Sequence, residues 1–356
     1  MANIQTRTTT DNRIMYTARI RIKGYPHQTA TFSRITDAKQ WAQKTESLIR
    51  EGKYFIQAEA KRHTFADMVE RYIKTVLPNK SAKVKSQYAQ QLRKWSSWLG
   101  EISLDKITTA LIVEHRDKLA LEKTPRGSCK SAATVNRYLA ALSSAFSVAI
   151  KEWQWVEENP VKKIGKFKEN KGRERFLSPG EIGLLLKTCR ESGKKDLHLA
   201  VVLALSTGAR RMETWSLRWK DIDLNAGKAI IRETKNKRTR IIPIQSYALE
   251  LMRQKSKIRR IDTDLVFPGT VDPTKPFDFR RSWESVLRKA GIKDFRWHDL
   301  RHSAGSYLAM NGASSREIAE ILGHKTLEMA MRYSHLTEGH SVSVVKSMND
   351  KMFENY

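Results

Sequence analysis

Six residues of this sequence, Arg210, Lys235, His298, Arg301, His324 and Tyr333, could do chemistry together. A tyrosine hydroxyl is an oxygen nucleophile able to hold a substrate fragment covalently. Arg210 lies in Thr207-Gly-Ala-Arg210-Arg-Met-Glu213, where Gly208 ends an apolar helical run. Its guanidinium is permanently charged, and the planar fork matches two phosphate oxygens. Glu213, three residues on, can hold that fork or brace a neighbour. In Trp297-His-Asp-Leu-Arg-His302, His298 and Arg301 stand at i and i+3 and share a helical face. An imidazole beside a guanidinium suits an oxyanion or a phosphate. Gly323 suits the position just past a helix end, which places His324 at that end. Tyr333 follows nine residues later, in a short helix expected over 326–334.

Each signal has an ordinary alternative. An arginine after a glycine is commonly a surface residue, and a tyrosine near a helix end is commonly half-buried packing. His298 and His302, at i and i+4, have the spacing of a zinc helix. Asp299 stands where that motif needs glutamate, however, and Arg301 would set a positive charge beside the cation. No acidic cluster is ready for Mg²⁺. The combination therefore fits phosphoryl transfer with neither metal nor cofactor, in which arginines balance the transition-state charge. A lysine or histidine would supply the proton to the departing oxygen.

The elements that must position these groups follow from periodicity. Ser178-Pro-Gly-Glu181 combines an N-cap serine, a proline at the first helical position and a capping-box glutamate. Leu197–Ser206 reads as a buried helix ending near Gly208. From Ile222 to Pro243 the pattern becomes β-like, with turns at Asn225-Ala-Gly227 and Lys235-Asn-Lys237, and helices are expected again from Phe279. Upstream, Thr64-x-x-Asp67 caps an apolar stripe of period 3.6, and helices are expected around Tyr88–Leu99, Leu111–Leu119 and Ala133–Trp153. Nearer the start, Arg13–Lys23 alternates with period two and reads as a strand. His27–Phe32 is its candidate partner, followed by a helix capped at Thr36-Asp37 and running to Arg50. The fold class is thus mostly α with small β-sheets. Residues 1–58 form a small sheet plus helix, 63–160 a helical bundle, 172–345 a mixed α+β domain and 346–356 a tail. Val161–Arg175 is the candidate linker.

The 356 residues carry 66 Lys and Arg against 38 Asp and Glu, a formal net charge of +28. Such an excess repels itself in a compact state, and a nucleic acid relieves it by releasing condensed counterions. A basic membrane-surface protein is the main competing class. Candidate phosphate contacts are Arg13, Arg19, Arg21 and Lys23 on the first sheet, Lys130 in a loop, and Lys163, Lys166 and Lys168 in the linker. The two cysteines, Cys129 and Cys189, form no metal-ligand spacing, which fits a reducing compartment. No signal-peptide pattern and no long apolar run is present. A soluble cytoplasmic protein is expected.

Taken in order, Arg210-x-x-Glu213, Lys235, His298-x-x-Arg301, Leu322-Gly-His324 and Tyr333 resemble the tyrosine recombinases, the phage integrase family. The resemblance is specific over residues 172–340, fair over the helical block and weakest over the first block. Arg211-Met212 departs from the aliphatic residue and serine often found there. The resemblance implies that Tyr333 forms a 3′-phosphotyrosine with DNA while Arg210 and Arg301 clamp the non-bridging oxygens. It further implies that Lys235 protonates the leaving 5′-oxygen, His298 assists, His324 hydrogen-bonds the phosphate and Glu213 supports the site. It makes the first two blocks arm-type and core-type DNA-binding domains. It implies a homotetramer on double-stranded attachment sites, with a host DNA-bending protein and an excision factor as further partners. The tail stripe of Val342, Val345, Met348 and Met352 would dock on a neighbouring protomer. Two alternatives are a relaxing topoisomerase of type IB, which shares the chemistry, and a non-catalytic DNA-binding regulator, which shares the charge but has no need of Tyr333.

Overall fold

Alternation along the first blocks builds a three-stranded antiparallel sheet in this computed structural model, β1 (Ala2–Thr8), β2 (Ile14–Ile20) and β3 (Gln28–Phe32), with β2 central. The structure describes all residues except 1, 10, 12, 126, 171, 233–238, 355 and 356, with the backbone alone at 195 and 337–344. Ala18 and Ile20 of β2 face helix α1 (Ile35–Arg50) and bury against its Ala38, Ala42 and Ile49. On the opposite face Thr17 and Thr31, paired in register, share a 3.1 Å hydrogen bond. The edge strand β1 escapes periodicity because its residues are mostly polar and are held by backbone pairing to β2. The expected cap at Thr36-Asp37 is not used. Helix α1 starts two residues earlier, after Arg34, without a side-chain cap, and Asp37 sits in its first turn, where its charge favours the positive end of the helix.

A bundle follows: α2 (Tyr54–Arg62), α3 (Phe65–Thr75), α4 (Ala82–Leu99), α5 (Thr109–Leu121) and α6 (Ala132–Lys151). Thr64 and Asp67 close the expected capping box on α3. Phe65, Tyr72, Trp95, Leu139 and Phe146 form the core. The candidate linker is only partly a linker. Val161 and Ile164 are buried around a 3₁₀ turn, and buried Asn136 accepts from the Phe167 backbone N–H at 3.0 Å and donates to its carbonyl at 2.9 Å. The apolar spacing Val161, Ile164, Phe167 within the lysine run is the signal of this packing.

The chain divides into two compact units, Met1–Lys171 and Gly172–Tyr356. In the second, α7 (Pro179–Glu191) carries the expected Ser178–Glu181 capping box. Helix α8 (Lys195–Thr207) is apolar on nearly every side and stops at Gly208, whose φ of +60° is left-handed. The short α9 (Arg211–Trp215) leads into an antiparallel meander of β4 (Ile222–Asp223), β5 (Lys228–Arg232) and β6 (Thr239–Pro243). Helices resume sooner than expected, with α10 (Ser246–Ser256), whose Ala248 and Met252 join the core. Then come α11 (Arg280–Lys289), α12 (Asp299–Met310), α13 (Ser315–Leu322), α14 (Glu328–Met331) and α15 (Glu338–Met352). Trp215, Phe279, Trp283 and Trp297 pack edge to face beneath the start of α12. Tyr333 is not in the helix expected over 326–334. Helix α14 ends at Met331, and Tyr333 follows it, just before a 3₁₀ turn over Ser334–Thr337. No helix among the described residues is long and apolar enough to cross a membrane.

Candidate active site

Two helix ends set the arginines. The turn after Gly208 presents Arg210, whose backbone N–H and guanidinium both donate to the Glu213 carboxylate at 2.8 Å. The same guanidinium donates to the Gly323 carbonyl at 2.9 Å, at the end of α13. Arg301, on the first turn of α12, is 4% exposed and donates to the Gly208 carbonyl at 2.9 Å. Arg301 is thus held by the turn that presents Arg210, and Arg210 by the end of α13. Arg240 of β6 completes the arrangement by donating to the second Glu213 oxygen at 2.8 Å. Gly323 has a φ of +65°, and a side chain there would collide with the Arg240 guanidinium. Both constraints require glycine.

Arg210, Arg301, His298, His302, His324 and Arg332 line one cleft of about 350 Å³. A larger open groove of about 1050 Å³ runs from Arg210 and Glu213 along Ile230–Arg232. Burial and the charges of Arg210 and Arg240 pull Arg301 down to about 10. Burial would raise the Glu213 carboxyl, but the Arg210 N–H and the Arg240 charge hold it below the usual range. Burial, with Arg301 and Arg210, pushes His324 down to about 4, and its Nδ1 is buried with no hydrogen-bond partner among the described residues. His298 is solvent-exposed at the cleft mouth, yet the atoms crowding it and the Arg301 charge hold it below its ordinary value. Cationic side chains held together with an unpaired imidazole nitrogen form a site prepared for an anion.

Tyr333 borders this cleft without opening into it. Its ring is 4% exposed and lies on Gly305 of α12, where a Cβ would come within 2.6 Å of the phenol Cζ. The hydroxyl meets His302 Nδ1 at 3.0 Å. His302 and Arg332 also line a second small cavity with Tyr333, so they stand between the phenol and the anion cleft. Burial raises the Tyr333 hydroxyl and outweighs the opposing charges of Arg332 and Arg301.

Of the seven residues named from sequence, the structure gathers Arg210, Glu213, His298, Arg301, His324 and Tyr333. Lys235 lies outside the described residues, which stop at 232 and resume at 239. Sequence reading missed His302, Arg240 and Arg332. His302 entered it only as a zinc candidate, although its place beside Arg301 and one turn from His298 was the available signal. Among the described residues no group of three His, Cys, Asp or Glu is clustered to hold a metal.

The candidate phosphate contacts all belong to the first unit. Arg19 is on the face of β2 opposite α1, and Arg13, Arg21 and Lys23 are exposed around that strand. Lys130 is not a free surface cation, because its ammonium is 2.7 Å from Glu122, which also pairs with Lys94. Lys163 pairs with Glu158 at 2.6 Å, while Lys166 and Lys168 are exposed.

Residues 175–340 match the phage integrase family, and residues 61–168 match the phage integrase N-terminal domain. A shufflon-specific DNA recombinase of Escherichia coli is 34% identical over 279 residues, covering 77% of this chain and 70% of that protein. The integrase of Haemophilus phage HP1 is 33% identical over 217 residues, 60% of this chain and 59% of its own length. The fold is also that of the Tn1549 transposon integrase solved with a circular intermediate DNA, at TM-score 0.66 and 19% identity, covering 80% of this chain and 99% of that one. A lambda integrase dimer bound to a COC′ core site gives TM-score 0.62 at 20% identity, covering 92% and 93%. The chain belongs to the phage integrase family, the tyrosine recombinases.

Proposed function

We infer that this protein is a site-specific DNA recombinase that cuts and rejoins strands through a covalent 3′-phosphotyrosine at Tyr333. The observation that carries this is a cationic cleft walled by Arg210, Arg301 and His324, with a buried tyrosine hydroxyl one imidazole away. A scissile phosphodiester seated there has its non-bridging oxygens clamped by Arg210 and Arg301. His324 donates a hydrogen bond to it, and Glu213 keeps both Arg210 and Arg240 in place. Positive charge fixed before the reaction stabilises the transition state at no cost of reorganisation. Lys235 protonates the leaving 5′-oxygen, with His298 assisting. The bond energy is kept in the phosphotyrosine link, so no nucleotide cofactor is needed. Because Tyr333 is stowed beside the cleft, attack requires its hydroxyl to turn toward the phosphorus when DNA binds.

The partners in this reading are double-stranded attachment sites, three further copies of the chain on DNA, a host DNA-bending protein and an excision factor, all in the cytoplasm. The 1–58 sheet grips arm sites and the 63–160 bundle the core site, and the cationic residues Arg19, Lys166 and Lys168 follow the backbone. A nicked suicide duplex carrying the mapped crossover site tests it. The wild-type chain should leave an adduct that survives denaturation, and Tyr333→Phe should leave none. Tight site binding without any adduct would favour the non-catalytic regulator, and relaxation of supercoils without a preferred site the topoisomerase.

A further inference from the structure

We propose that His302 is the proton acceptor for the Tyr333 nucleophile and returns that proton when the strand is resealed. This rests on the recombinase reading and adds a catalytic residue to it. The phenol is buried, and its one hydrogen-bond partner among the described residues is His302 Nδ1 at 3.0 Å. A buried, protonated hydroxyl places its hydrogen on an acceptor, so Nδ1 carries the lone pair and the ring hydrogen sits on Nε2. The His302 ring is itself 8% exposed and borders both the anion cleft and the tyrosine cavity. It is the group through which the nucleophile's proton and the phosphate charge can communicate.

The charges around His302 explain why the base rests until DNA arrives. Burial, Arg332 and His298 hold the empty-site imidazole down to about 4, Arg301 adds to this, and Asp299 opposes it. Across the tyrosine cavity stand Arg173, Glu174 and His335. The imidazole is therefore neutral at neutral pH and able to accept, but too weak to take a proton from a phenol. A phosphodiester in the cleft offsets the arginine charge, and the transition state adds a further negative charge. Both changes raise the basicity of His302 as the reaction needs it.

The step balances within the site. The Tyr333 O–H bond breaks, its proton passes to His302 Nδ1, and the freed electron pair forms the oxygen–phosphorus bond. The P–O5′ bond breaks, and that oxygen takes a proton from Lys235. Resealing reverses both transfers, with the incoming 5′-hydroxyl giving its proton to Lys235 and the departing phenol oxygen recovering its own from His302.

His302→Asn tests the proposal, because an Asn amide oxygen can still accept the phenol hydrogen bond but cannot take the proton. On the nicked suicide duplex its single-turnover cleavage should fall by at least about 100-fold, the low end for a general base, with site binding in a gel shift unchanged. Wild-type cleavage should plateau with pH, whereas the variant's rate should climb about tenfold per pH unit as free phenolate accumulates. A 5′-bridging phosphorothiolate, whose sulfur leaves without a proton, should not rescue the variant. Cleavage within about threefold of wild type, with the same pH profile, would overturn the role of His302 and leave the recombinase reading standing. No adduct from the wild-type chain would sink that reading instead. Nitrogen-15 NMR of the wild-type histidine rings is independent of any variant. An unprotonated Nδ1 at His302 is expected, and a proton on Nδ1 would overturn the proposal.

Discussion

At the scale of single residues, the site is governed by the competition between burial and charge. Burial makes the phenol of Tyr333 a poorer acid and the imidazoles of His302 and His324 poorer bases, while the arginines push all three toward their less protonated forms. For the imidazoles the two effects add, and for the tyrosine they oppose, with burial the larger, which is why the phenol rests protonated. A stability consequence follows. His302 falls from 6.5 to about 4 on folding, so below pH 6.5 the unfolded chain binds the proton that the folded chain refuses. At about 1.4 kcal/mol per unit, roughly 3 kcal/mol present above pH 6.5 is lost as pH falls through 4. The melting midpoint should therefore drop between pH 7.5 and pH 5 at constant ionic strength, and drop less in His302→Asn. A midpoint indifferent to pH across that range would refute the burial of these rings.

At the scale of elements, the site is made by contacts between helix ends rather than by any one helix. Helix α12 brings Arg301, His302 and Gly305 along its first two turns, and Gly305 provides the flat backbone on which the Tyr333 ring rests. Gly305→Ala should push the ring off α12, lower stability by about 1–3 kcal/mol as overpacking does, and slow adduct formation. Ser178→Ala is the contrast. It removes the bond from the Glu181 N–H to the Ser178 hydroxyl at the start of α7, away from the residues lining the cleft and the tyrosine cavity, and should cost about 1 kcal/mol with cleavage little changed. Chemical denaturation beside suicide-substrate kinetics separates the two. Equal effects on cleavage would mean that the Gly305 contact has no special role.

At the scale of the whole molecule, the net charge and an exposed apolar stripe on α15 are the features that a partner would meet. With a net charge of +28, DNA affinity should fall steeply with salt. Replacing Lys166 and Lys168 together by Ala should reduce the slope of log affinity against log salt by about 2 if both contact phosphate. An unchanged slope would remove them from the interface. Helix α15 exposes Val345, Met348 and Met352, with Phe353 just beyond. Deleting residues 347–356 should weaken higher-order complexes on DNA while leaving single-copy binding intact, and gel shifts with unaltered stoichiometry would rule out docking on a neighbouring protomer.

What the sequence determined by itself is whatever short range controls. Capping boxes at Thr64 and Ser178, the left-handed stop at Gly208 and the period-two run of β2 all rest on interactions within a few residues. The polar strand β1 is held by pairing to β2, so local pattern carried little trace of it, and the pinning of Phe167 by Asn136 showed only in the apolar spacing of Val161, Ile164 and Phe167. The tertiary structure alone decided which group His302 meets. Its neighbour Arg301 faces the anion cleft, but only the packing of α12 against the segment after α14 brings an imidazole nitrogen to the tyrosine oxygen. It likewise decided the sign of the Tyr333 shift, because the balance between desolvation and nearby cations depends on depth and distance, which composition does not encode.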